Sequence, residues 1–139
     1  MKKITRKNNK FGYYVNSDDV CLSVDLINSV IVNINTNEII QLRETMMRLF
    51  VYLLENANGL IVSNKTIMSN VWDVYELKSS NQRLWQVMQL LLNKLSSIHV
   101  PYDFIEHVDT KGYRIKQTNI VHLFYDEENM SQEMLLEAV

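Results

Sequence analysis

Hydrophobic residues recur along this chain with two different periods. Between residues 11 and 41, short runs of Val, Ile and Tyr are broken by polar clusters at Asn16 to Asp19, at Asn28 and at Asn35 to Asn37. Runs of this length between turn-forming residues predict a meander of small antiparallel strands, at Tyr13 to Val15, Val20 to Asp25, Ser29 to Asn33 and Glu38 to Leu42. The period then changes. Met46, Leu49, Phe50, Leu53 and Leu54 fall at i, i+3, i+4, i+7 and i+8, one apolar face of a helix from about Arg43 to Asn56, with Asn58 and Gly59 ending it. Ser63 is a good N-cap for a second helix, about Asn64 to Trp72, with Ile67, Met68, Val71 and Trp72 on one side. After a polar link, Asp73 to Lys78, the pair Ser79 and Gln82 forms a capping-box signature for a third helix. Its apolar face is Leu84, Val87, Met88, Leu91 and Leu95, and it ends near Ser96 or Ser97, before Pro101. Phe104 to Val108 and Gly112 to Lys116, separated by Asp109, Thr110 and Lys111, have the shape of a hairpin.

The predicted order is four strands, three helices and a closing hairpin, an α+β arrangement. It resembles the winged helix-turn-helix of the OmpR/PhoB family, and within it the ToxR/CadC-like bacterial regulators. Three stretches carry the likeness: Leu49 to Leu54; Gly59 to Ser63 with Val71 and Trp72; and Phe104 to Ile115. In the last, Val108, Gly112 and Tyr113 sit where the family has a valine and a glycine-tyrosine pair in its wing. A weaker match runs from Ser80 to Leu95, and the whole covers roughly residues 20 to 116. The implied fold is an N-terminal antiparallel sheet, three helices and a C-terminal hairpin wing. The implied division is a basic arm over 1–12, the winged-helix domain over 13–116 and an acidic tail or linker over 117–139.

The implied function is a transcriptional regulator that binds double-stranded promoter DNA, the third helix in the major groove and the wing in the minor groove. The expected DNA-binding residues are Lys78, Ser80, Gln82, Arg83, Gln86, Gln89, Leu90, Lys94, Lys111 and Arg114. Of these, Arg83 and Gln86 have the donor geometry to address base edges, whereas Lys111 and Arg114 suit phosphate or the minor groove. RNA polymerase and a second copy or a regulatory protein are the further partners that the resemblance implies.

Two departures from the family matter. Leu90 and Leu92 stand where its third helix usually carries arginines, and Arg43 stands in place of a capping threonine. Two leucines cannot neutralise phosphate, so binding by a lone monomer should be weak. An outward Leu90 near Trp85 and Leu92 would make an exposed apolar patch, which supports an alternative: a winged-helix interaction module that has lost strong DNA binding.

Charge alters the picture only when it is located. The net charge is −2, yet all fourteen Lys and Arg lie at or before Lys116, against eleven acids, so residues 1–116 carry +3 and the tail −5. The tail from Gln117 is expected to be dispensable for folding, with Ile120, Val121, Leu123 and Phe124 able to extend a strand or dock on the body, and Met134 to Leu136 suited to a short amphipathic helix. The lone Cys21 excludes an internal disulfide, which suits a reducing cytoplasm. No apolar run approaches the length of a membrane span and no apolar segment follows the basic N-terminus, so neither a span nor a signal peptide is read, although related regulators carry this domain ahead of a membrane anchor. His99, His107 and His122 lie on separate elements with no metal-ligand spacing, and neither a phosphate loop nor a nucleophile elbow is present, so no cofactor and no catalysis are expected.

Overall fold

The computed structural model of the protein describes residues 9–125. Its elements in chain order are β1 (Lys10–Asn16), β2 (Cys21–Asp25), β3 (Val30–Asn33), β4 (Glu38–Gln41), α1 (Glu44–Asn56), α2 (Asn64–Val71), α3 (Asn81–Ser97), β5 (Ile105–Val108), β6 (Gly112–Ile115) and β7 (Asn119–Phe124). Short 3-10 turns occupy Asp73–Tyr75 and Tyr102–Phe104.

The first four strands pair antiparallel in sequence order, as their alternation predicts. Tyr13 and Val15 of β1, Leu22 and Val24 of β2, Ile31 of β3 and Ile40 of β4 all point into the core. A fifth strand, β7, closes the sheet on the other side of β1, giving the order β4-β3-β2-β1-β7. Ile120, Val121, Leu123 and Phe124 thus extend the sheet, one of the two roles expected of them, within the stretch expected to be a tail from Gln117, and β1 starts at Lys10, within the expected arm. Thr118 is buried at the entry to β7, where Asn58 brackets its backbone N–H and carbonyl and its hydroxyl donates to the Asn16 carbonyl. The amphipathic segment at Met134 to Leu136 lies outside the described residues.

The helices follow their apolar stripes. Leu49, Phe50 and Leu53 of α1, Ile67 and Val71 of α2, and Leu84, Met88, Leu91 and Leu95 of α3 meet the sheet in one core. Ser63 caps α2, accepting from the Thr66 N–H at 3.1 Å. The cap of α3 is a correction: Ser80, not Ser79, accepts from the N–H of the third residue on, Arg83, at 3.0 Å. Ser79 instead donates its hydroxyl to Asp73, and Gln82 falls one position short of closing a capping box. Arg43 precedes α1 without any side-chain cap, as the missing threonine implies, and Glu44 places a carboxylate against the positive end of the helix.

The C-terminal end of α3 is held to the sheet. Buried Asn33 donates to the Ile98 carbonyl at 2.6 Å, Lys94 donates to the Gln41 carbonyl, and His99 meets Glu38 at 2.7 Å. The β5–β6 hairpin is fixed as firmly. Val62, in the α1–α2 connection, exchanges backbone hydrogen bonds with Tyr113, and the Gly59 N–H donates to the Ile115 carbonyl. Gly112 is required here: its φ is +144°, and a Cβ would lie 1.9 Å from the Val62 carbonyl oxygen.

Candidate nucleic-acid interface

With its C-terminal end anchored and one stripe buried, α3 presents the rest of its length outward. The core stripe Leu84, Met88, Leu91 and Leu95 is mirrored two residues away by Gln82, Gln86, Gln89 and Asn93. Two residues correspond to roughly 200° of helical rotation, so these four carboxamides form a line opposite the core. Gln82, Gln86 and Asn93 are exposed and Gln89 is half-buried. The Asn93 carboxamide oxygen accepts from the Tyr102 hydroxyl at 3.0 Å, whereas the three glutamine side chains make no hydrogen bond to the described residues.

The expected apolar patch does not form. Leu92 is half-buried and packs against the core. Trp85 and Leu90 are both 55% exposed, but five residues separate them, which places them roughly 140° apart on opposite flanks of the carboxamide line.

The cations divide into two sets. Lys10 pairs with Glu55 at 2.8 Å, Arg48 with Glu44 at 3.0 Å, Arg114 with Glu106 at 2.7 Å, and Lys116 lies near Asp19 and Asp103. Arg43, Lys65, Lys78, Arg83, Lys94 and Lys111 are exposed and have no carboxylate partner among the described residues. Lys78 and Arg83 border one shallow pocket together with Thr45, Trp72, Leu77 and Val87. Lys111 stands at the hairpin tip, in a turn closed by its own N–H to the Val108 carbonyl at 2.9 Å. Arg114 lies on β6, three residues after Lys111, but is matched to Glu106, its direct cross-strand partner. Lys94 uses its ammonium on the Gln41 carbonyl.

Of the expected residues, then, Lys78, Ser80, Gln82, Arg83, Gln86 and Leu90 come together along the outward side of α3 and its entry, with Gln89 half-covered, while Lys111 stands on the hairpin. Ser80 is occupied as the helix cap. Three further exposed residues with the same properties, Asn93, Arg43 and Lys65, are not among the expected ones. Asn93 was legible, since it continues the spacing of Gln82, Gln86 and Gln89. Arg43 and Lys65 stand just before α1 and in the first turn of α2, and neither has an acid four residues away on its helix of the kind that Glu44 offers Arg48.

By sequence, neither a family model nor a curated protein matches the chain. In three dimensions it is similar to the DNA-binding domain of Escherichia coli CadC, with a TM-score of 0.63 at 16% identity over 79% of this chain and 96% of that one. The chain has the winged-helix fold of the OmpR/PhoB type. Two further likenesses agree. The C-terminal domain of the nisin resistance regulator NsrR gives a TM-score of 0.58 at 18% identity, covering 75% of this chain and 98% of that one. The Klebsiella pneumoniae RstA DNA-binding domain, solved in complex with the RstA box, gives 0.54 at 17% identity, covering 73% and 96%. In this winged helix, β5 and β6 are the wing and α3 is the third helix of the trio. No helix among the described residues is long and apolar enough to cross a membrane.

Proposed function

We propose that the protein is a transcription regulator that binds promoter DNA, with α3 in the major groove and the wing tip reaching the adjacent minor groove. The observation that carries this reading is the outward side of α3. It presents hydrogen-bonding side chains with no partner among the described residues, and exposed cations with no carboxylate partner among those residues stand beside it at Lys78 and Arg83 and on the wing at Lys111. Unsatisfied donors on a rigid helix are what direct readout needs, and unmatched cations supply the salt-dependent attraction to phosphate. The likeness in fold to domains described as DNA-binding supports the same reading. On this reading Arg43 and Lys65 join the phosphate ligands, and Arg114 contributes less because Glu106 already matches its charge. The leucine at position 90 removes one potential phosphate contact, so two copies on adjacent half-sites bind better than one. RNA polymerase is the machinery on which the regulator acts, and promoter DNA places the domain in the cytoplasm. The alternative of an interaction module loses its main support, because Trp85, Leu90 and Leu92 do not form one patch.

The test is to titrate labelled duplex with the full chain at two salt concentrations. The reading expects saturable binding that weakens steeply with salt. Absence of saturable binding, or binding that ignores salt, overturns it.

A further inference from the structure

The outward face of α3 combines two chemistries. Along its centre run Gln82, Gln86 and Gln89, uncharged and without a hydrogen-bond partner among the described residues, and on either flank stands one exposed apolar side chain, Trp85 or Leu90. Only two cations, Arg83 and Lys94, lie on α3, and both sit on the Leu90 flank, Arg83 at the pocket shared with Lys78 and Lys94 on the Gln41 carbonyl.

A glutamine carboxamide accepts from the adenine 6-amino group through Oε1 and donates to adenine N7 through Nε2, a bidentate match. Guanine offers two acceptors on the same edge, and its best partner is an arginine or lysine, which the centre of this face lacks. The other half of an A·T pair presents the thymine C5-methyl group, whose complement is an apolar side chain. We infer that this face reads A·T base pairs in the major groove, the glutamines through adenine and Trp85 and Leu90 through thymine methyl groups. The inference rests on the DNA-binding reading and names the base composition that this surface selects.

It also gives the leucine at position 90 a positive role. An arginine there would add phosphate affinity without sequence information, whereas a leucine contributes through a methyl contact. Gln82 to Gln89 spans roughly 10 Å of helix, or about three base-pair steps of roughly 3.4 Å. Asn93 stands at the far end of the line with its oxygen accepting from Tyr102, a bond that occupies one of its two lone pairs and ties the carboxamide to that ring, unlike the three glutamines.

The experiment compares duplexes of equal length that differ only in a central core, each titrated with the full chain. The cores are A·T, G·C, inosine·cytosine, A·T with 7-deazaadenine, and A·T with deoxyuridine in place of thymidine. Inosine·cytosine shows the guanine pattern in the major groove and lacks the 2-amino group in the minor groove, so it separates readout in the two grooves. The A·T core should bind at least tenfold tighter than G·C, and inosine·cytosine should be as weak as G·C. Removing N7 should cost about tenfold per contacted adenine. Removing the methyl group should cost about fourfold per contact, the value of one buried methylene-sized group. Gln86→Ala should flatten the response to 7-deazaadenine, and Leu90→Ala the response to deoxyuridine. Inosine·cytosine binding like A·T, or binding indifferent to both 7-deazaadenine and deoxyuridine, overturns the inference. Failure to bind every duplex is a different result and overturns the DNA-binding reading itself.

Discussion

The five-stranded sheet and the outward side of the helical trio treat their polar groups in opposite ways. Around the sheet, Lys10 and the Tyr13 hydroxyl both converge on Glu55, Asn33 is spent on the Ile98 carbonyl, and Glu38 meets His99. Across α3 and at the wing tip, the three glutamines and Lys78, Arg83 and Lys111 meet no such partner among the described residues. A partnered group holds the fold together, and its hydrogen-bonding capacity is used up. An exposed, unpartnered group contributes little to stability and keeps its capacity for a ligand. Substitutions on the sheet side should therefore change stability and leave binding intact, and those on the α3 side should do the reverse.

The largest expected effect is at the seam between the two. Gly112→Ala puts a methyl group into the Val62 carbonyl and requires a backbone conformation that alanine resists, so the wing must leave the α1–α2 connection. A stability loss of about 3 kcal/mol or more is expected, read by chemical denaturation, with DNA affinity falling at the same time. Equal stability would show that the wing is not fastened there.

Next is Glu55. Burial raises its pKa, but hydrogen bonds from Lys10 and Tyr13, with the charges of Lys10 and His122, more than offset this and hold the carboxyl below the ordinary carboxylate value. A carboxylate with a lowered folded-state pKa adds stability that is present at neutral pH and is lost as pH falls through the ordinary value and then the folded-state value. Wild type should thus lose stability below about pH 4. Glu55→Gln should be less stable at neutral pH by about 1 kcal/mol, show a shallower acid transition and bind DNA unchanged.

Smaller effects separate cation from cation. Lys111→Ala should reduce the slope of log K against log salt by about 0.9, while Arg114→Ala should change it by less, because its charge is already opposed by Glu106. Equal effects would mean that the Glu106 pair opens on DNA. Leu90→Arg should steepen the slope by about 0.9 and raise affinity with stability unchanged, since Leu90 is exposed. If it also narrows the preference for A·T cores, the leucine was reading methyl groups.

Much of this architecture was legible because a helix with a buried stripe writes its period into consecutive residues, as Leu84, Met88, Leu91 and Leu95 do. The wing was legible through Gly112 and Tyr113. β7 was legible as a stretch able to extend a strand, through Ile120, Val121, Leu123 and Phe124, but its place in the sheet was not, because its partner is β1, about a hundred residues earlier, and because one of its positions on the Tyr13 side is His122, packed edge-on against that ring. The cap of α3 was misplaced by one residue because two serines stand side by side and Asp73, in the preceding turn, takes the hydroxyl of the first. For the candidate interface, charge was readable but pairing was not: Arg114 is matched only because the hairpin register sets Glu106 opposite it.

The most direct test of the division is the change in backbone amide shifts on adding duplex DNA to the labelled chain. The account predicts that the largest shifts fall on Lys78 to Asn93, around Arg43 and Lys65, and at the wing tip around Lys111, with little change across β1 to β3. Shifts confined to the strands before Leu42 would contradict it.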